Sequence, residues 1–143
     1  MDTAMHVETK IEIDAAPETV WAVMTDVARW PEWTTSVERA ERLDDGPLSV
    51  GSRARLKQPK FPPVVWEVTE LEPGRSFSWT AKNIGLTSVG EHRIAPHASQ
   101  GVAVTLSLRQ HGPLAPLLAA LTSKLTRRYV DAEAQGLKRR SEA

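Results

Sequence analysis

The sequence predicts an α+β fold in which a curved antiparallel sheet of six or seven strands holds a long C-terminal helix, with an apolar cavity of small-molecule size between them. Three observations predict it. Segments in which apolar and polar residues alternate recur from Val7 to Arg109, separated by turn signals. Two short helical stretches follow the first of these segments directly. After Gly112-Pro113 the apolar period changes from two to that of a helix and keeps it almost to the end of the chain.

Taken in order, Val7, Thr9, Ile11 and Ile13 alternate with His6, Glu8, Lys10, Glu12 and Asp14, the pattern of a half-buried strand. Pro17 with Glu18 beside it then starts a helix expected to run to about Met24, because neither proline nor an acid is penalised where helical amides point outward. Asp26 is expected to cap a second helical turn carrying Val27 and Trp30, limited by Pro31. A strand is predicted near Ser36 to Leu43, ended by Asp44-Asp45-Gly46-Pro47. The next opens at Gly51, with Ala54, Leu56 and Gln58 on one face.

Pro59 to Pro63 forms a loop, after which Val64, Trp66 and Val68 alternate with Val65, Glu67 and Thr69 as far as the turn Glu72-Pro73-Gly74. Phe77, Trp79 and Ala81 share the inward face of the following strand. Asn83 to Gly85 and Pro96 to Gly101 read as the last two hairpin loops, flanking a strand of Leu86 to Ile94 and another of Val102 to Arg109. The final helix carries the apolar stripe Leu114, Leu118, Leu121, Leu125, Tyr129 and Ala132. Lys124, Arg127, Arg128, Asp131 and Glu133 are expected on its solvated face, and fraying is expected after Leu137. Lys138, Arg139 and Arg140 suit a helix end, where cations oppose the dipole, better than a nucleic-acid patch.

A chain of 143 residues falls in the range of one domain, so residues 1–143 are expected to form a single unit with its core at about residues 6–138. Lysine and arginine balance aspartate and glutamate at 18 each, which removes any net field favouring nucleic acid or anionic lipid and points to a neutral, apolar partner. The absence of cysteine excludes disulfides, thiolate catalysis and cysteine-ligated zinc, and suits a reducing cytoplasm. Met1 to Lys10 lacks the basic and apolar regions of a signal peptide, and the longest apolar stretch, Leu114 to Leu121, is interrupted by Pro116 and too short to span a bilayer. A cytoplasmic location follows as the expectation.

The order of elements is that of the helix-grip arrangement, and particular stretches sharpen it. Ile13-Asp14-Ala15-Ala16-Pro17-Glu18-Thr19-Val20-Trp21-Ala22-Val23, then Asp26 and Trp30-Pro31-Glu32-Trp33, resembles the opening signature of the polyketide cyclase/dehydrase family within the START-like (SRPBCC) superfamily. Val50-Gly51-Ser52-Arg53, the run from Trp66 to Arg75 with Phe77 and Trp79, Glu91-His92-Arg93-Ile94 and Gly112-Pro113-Leu114 follow in the family's order, so that the resemblance covers about Val7 to Leu137. It implies the helix-grip fold and a hydrophobic guest. Members of this family range from aromatic-polyketide cyclases to lipid carriers, so the resemblance implies no single activity.

The expected lining of the cavity is Leu56, Gln58, Trp66, Trp79, His92, Leu106, Leu118, Leu121 and Leu125. Two inward tryptophans on neighbouring strands offer flat surfaces to a planar guest. His92 shares a face with Gly90 and Ile94, where a neutral imidazole serves either as a catalytic base or as a structural hydrogen-bonding group; no carboxylate in phase with it is evident. Tyr129, the second catalytic candidate, reaches either a ligand carbonyl or an acceptor at the sheet edge. Thr9 has an inward register too, whereas Glu38, Glu41, Arg53 and Arg55 fall outside the apolar rows.

No metal site is expected, because His6, His92, His97 and His111 are scattered, and neither a phosphate loop nor a nucleophile elbow is present, so no cofactor is expected. Three functions remain in competition: a binder or carrier of a lipid, polyketide or aromatic metabolite; a cyclase or dehydrase acting on such a molecule; and a stress or toxin-partner protein acting by protein contact, whose partner the sequence does not name.

Overall fold

The first strand and the second lie at opposite edges of one sheet, and this separation shapes the whole fold. The computed structural model describes residues 5–97 and 101–143, so residues 1–4 of the N-terminal reading and 98–100 of the last hairpin loop lie outside the described residues. β1 (Met5–Ile13), β2 (Arg39–Arg42), β3 (Arg53–Lys57), β4 (Val64–Glu72), β5 (Ser76–Asn83), β6 (Leu86–Pro96) and β7 (Val102–His111) form a seven-stranded sheet in the order β1-β7-β6-β5-β4-β3-β2. Every neighbouring pair is antiparallel. The connection from β1 to β2 must therefore traverse the sheet, and it does so through α1 (Pro17–Thr25) and a 3-10 helix (Val27–Glu32).

Alternation decides which side of the sheet is inside. Phe77, Trp79 and Ala81 of β5, Ser88, Gly90, His92 and Ile94 of β6, and Val102, Val104 and Leu106 of β7 are all buried, and the residues between them are half-buried or exposed. The core joins this face to Val20 and Met24 of α1, Val27 and Trp30 of the 3-10 helix, and Leu137 of α2 (Ala115–Glu142). Trp30 stays buried at no polar cost, because its indole Nε1 donates to the Met24 carbonyl at 3.1 Å.

Three local expectations are corrected. Asp26 makes no side-chain cap; its backbone carbonyl accepts from the Arg29 amide at 3.1 Å while its carboxylate faces the Arg29 guanidinium at 3.4 Å. Pro31 does not limit the 3-10 helix but lies within it, as a donorless residue can in a helix too short to need its amide. The last helix does not fray after Leu137, because side chains beyond that point are bound to the body. Lys138 donates to the Glu12 carbonyl at 2.9 Å, Arg140 meets Glu32 at 2.8 Å, and the Glu142 carboxylate accepts from the Asp14 amide at 2.8 Å. The Lys138 ammonium and that amide hold the Glu142 carboxyl below its ordinary value.

The helix phase is the fourth correction and the largest. The buried positions of α2 include Ala115, Thr126, Ala134, Leu137 and Ser141, whereas Leu121 is 72% exposed. At 100° per residue the true inward face is turned by about a third of a turn from the leucine stripe. At Gly136 this helix comes into backbone contact with the body. The glycine Cα lies against Trp33, where an added Cβ would come within 2.0 Å of the Trp33 carbonyl oxygen and 3.0 Å of the indole ring, so the helix crosses here at backbone contact.

Gly136→Ala would improve helix propensity by about 1 kcal/mol in an exposed helix. Here it should lower stability by about 2 kcal/mol or more, since the clash is with backbone and can only be relieved by moving α2. Chemical denaturation measures this, and a variant as stable as the parent would refute the backbone-contact crossing.

Candidate ligand-binding cavity

Between the concave face of the sheet and α2 lies a cavity of about 440 Å³. Its floor is Trp30, Trp79, His92 and Leu106, all buried. The lining residues that reach solvent are Pro62, Asn83 and Ile84, so the mouth lies between the β3–β4 loop, the β5–β6 turn and the first turns of α2.

One wall is aromatic. Trp66 of β4 and Trp79 of β5 lie with ring centroids 5.6 Å apart and planes at 31°, and Trp30 approaches Trp79 to 5.3 Å. Gly90 of β6, paired with Trp79 across the strands, makes room for this: a Cβ there would lie 3.0 Å from the Trp79 indole nitrogen. The opposite side is more polar than the sequence reading expects. α2 turns Leu118, Thr122, Thr126, Tyr129 and Glu133 toward the cavity, while Leu121 and Leu125 lie outside the lining for the helix-phase reason given above.

Of the other expected lining residues, Leu56, Gln58, Trp66, Trp79, His92, Leu106 and Leu118 border the cavity. Thr9 does not; its hydroxyl donates to the Asp131 carboxylate, tying β1 to α2. Glu38, Glu41, Arg53 and Arg55 are exposed, with Arg55 paired to Glu41 at 2.7 Å.

His92 is 5% exposed and stacks on Phe77 with ring centroids 4.1 Å and planes 8° apart, while the Trp79 ring stands nearly perpendicular with its centroid 5.6 Å away. Its Nε2 faces Glu133 Oε2 at 3.4 Å, and its Nδ1 has no partner among the described residues. The sequence reading finds no carboxylate in phase with His92, and this is overturned. The acid comes from the helix across the cavity rather than from a neighbouring strand. Its signal was available: Glu133 is four residues, about one turn, beyond the lining residue Tyr129.

Ser88 and Gln110 were missed as well, although they continue the inward rows of His92 and Leu106. Gln110 Nε2 donates to Ser88 Oγ at 3.1 Å, and its buried Oε1 has no partner among the described residues, leaving an acceptor beside the cavity.

Tyr129 resolves the alternatives left open for it in geometric terms. Its hydroxyl donates to the Pro59 carbonyl and its ring meets Phe61 edge-on at 5.8 Å. Lys60, with φ of 69°, turns the loop between these two contacts. Burial first, and then the negative charge of Glu38, push the phenol above its ordinary value of 10.0.

The profile of the family described as polyketide cyclase / dehydrase and lipid transport matches residues 4–142. No curated protein sequence matches the chain. Among solved structures, a hypothetical protein of Helicobacter pylori superposes with a TM-score of 0.84 at 18% identity, over 97% of this chain and 89% of that one. A START superfamily protein of Mycobacterium smegmatis gives 0.78 at 17%, over 96% and 97%. The Zhui aromatase/cyclase of Streptomyces sp. R1128 gives 0.79 at 19%, over 96% and 93%. At such identities the likeness establishes the fold, which is the START-like helix-grip.

Tyr129 is the only tyrosine, so ultraviolet titration reads it alone. Its ionisation should fall above pH 10. Because the folded state favours the neutral phenol, the stabilisation this brings is complete below the unfolded-state value and is lost as pH rises through the raised one. A midpoint at or below 10 in the folded protein would contradict the half-buried, hydrogen-bonded phenol.

Proposed function

The chain belongs to the polyketide cyclase/dehydrase and lipid transport family, and on that premise we propose that it binds a planar, partly polar hydrophobic molecule in the cavity between sheet and helix, and does so in the cytoplasm. The observation that carries the reading is the Trp66–Trp79 wall facing a helix surface of Thr122, Thr126 and Glu133. Offset aromatic surfaces reward a flat guest, and scattered polar groups opposite them orient it without preventing burial. A volume of 440 Å³ lies toward the lower end of the range of about 300–1,000 Å³ that suits small ligands. The unpartnered Gln110 Oε1 supports a guest carrying a hydroxyl or N–H donor. The aromatase/cyclase among the similar structures is consistent with an aromatic or polyketide-like guest.

A second reading, an enzyme of the cyclase or dehydrase type, is favoured by the facing pair His92 and Glu133. Glu133 lines the cavity, and an imidazole N–H directed at its carboxylate positions it there. The carboxylate then takes a proton from a carbon made acidic by an adjacent carbonyl, and the protonated acid returns it to a departing hydroxyl, which leaves as water. The proton count is unchanged over the cycle.

Quenching of the protein's tryptophan fluorescence by a fused-ring phenol such as a naphthol tests the first reading. Trp66→Ala should weaken that probe by about two- to ten-fold and a saturated fatty acid by less. Equal weakening of both, or of neither, would count against an aromatic-selective wall. For the second reading, Glu133→Gln should lower kcat on a polyketide-like substrate by about a hundred-fold or more with KM little changed, and an unaltered kcat and pH profile would leave only a binder.

A further inference from the structure

We propose that the mouth of the cavity docks on an anionic lipid surface, with Ile84, Leu117 and Leu121 entering the interface and Lys82, Lys124 and Arg128 meeting the headgroups. The large apolar side chains that the fold leaves exposed are concentrated here. Ile84 at the tip of the β5–β6 turn is 96% exposed, and Leu114, Leu117 and Leu121 are exposed on the first turns of α2. These two segments form one surface, since the Leu114 amide donates to the Gly85 carbonyl at 2.9 Å. Ile84 and Leu118 also line the cavity, so the exposed apolar surface is continuous with its interior.

The segments that form the mouth carry cations and no acid, the acids of α2 beginning with Asp131, one turn beyond Arg128. Residues 57–66, 81–90 and 112–130, which hold the segments around the mouth, contain no aspartate or glutamate. Leu117, Leu121, Lys124 and Arg128 follow the spacing i, i+4, i+7, i+11, which puts two leucines and then two cations on one exposed stripe of α2. Lys82 is exposed at the end of β5, two residues before Ile84.

None of Lys60, Lys82, Lys124, Arg127 and Arg128 has an acidic partner among the described residues, whereas Arg42, Arg55, Arg109 and Arg140 each face one. The zero net charge of the chain is thus an average that leaves an unpaired basic rim at the mouth. An apolar tip ringed by free cations matches anionic headgroups over acyl chains, to which each cation near the surface contributes roughly five-fold in affinity. A neutral protein partner would leave the cations unused.

Flotation of the full chain with vesicles tests this, using phosphatidylcholine alone and phosphatidylcholine mixed with phosphatidylglycerol. The protein should float with the mixed vesicles at low ionic strength and be released by salt. Leu117→Ser/Leu121→Ser and Lys124→Glu/Arg128→Glu should each weaken binding by about ten-fold or more. These four residues lie outside the cavity lining, so naphthol quenching and thermal stability should stay as in the parent, which separates failure of docking from failure of ligand binding. No flotation with phosphatidylglycerol vesicles, equal flotation with phosphatidylcholine alone, or binding that survives either double substitution would overturn the proposal. So would a dimer in solution that Leu117→Ser/Leu121→Ser disperses, since the stripe would then belong to a second copy.

Discussion

The close crossing of α2 over Trp33 at Gly136 is the constraint on which the other features depend. A helix that approaches at backbone contact cannot rotate about its axis without driving a side chain into the carbonyl below it. The crossing therefore sets the phase of the whole 28-residue helix, including turns far from the contact. On the same helix Glu133 faces His92, Thr122 and Thr126 face the aromatic wall, and Leu117 and Leu121 are turned to solvent.

That phase also explains how a cavity survives in a chain of this size. Close packing would fill the space if α2 turned its leucines inward, since a core gains from every apolar contact it can make. With two threonines and a glutamate beside Leu118 and Val130 there instead, the sheet's aromatic face is only partly met by apolar side chains, and the space remains for a guest. The cost falls on the free protein, which leaves Trp66 half-buried and Gln110 Oε1 unpartnered. A guest that stacks on the indole and donates to the amide oxygen relieves both, so binding and completion of the core become one event.

The connection between β1 and β2 works in the same direction. It has to traverse the sheet from edge to edge, and its 3-10 helix delivers Trp30 beneath Trp79 and His92 and leaves Trp33 beneath α2. One short segment thus seals the floor of the cavity and fixes the helix that roofs it. Its tryptophans are placed by topology, and no strand or helix period in the chain would have assigned Trp30 to a cavity.

Local pattern alone determined most of the fold. Alternation identifies the strands and their inward rows because a pleated strand always sends consecutive side chains to opposite faces, whatever it packs against. This is why Leu56, Trp66, Trp79, His92 and Leu106 were legible as residues facing the helix, and why Ser88 and Gln110 could have been read by extending the same rows. A helix offers a weaker rule. Its apolar stripe names the buried face only if every leucine is buried, and here Leu117 and Leu121 are not. The rotation of α2, the meeting of Glu133 with His92, the engagement of the Tyr129 hydroxyl by Pro59 and the basic, apolar rim were decided by tertiary structure. Each depends on a contact between residues distant in the chain, and such contacts leave no mark in hydrophobic periodicity.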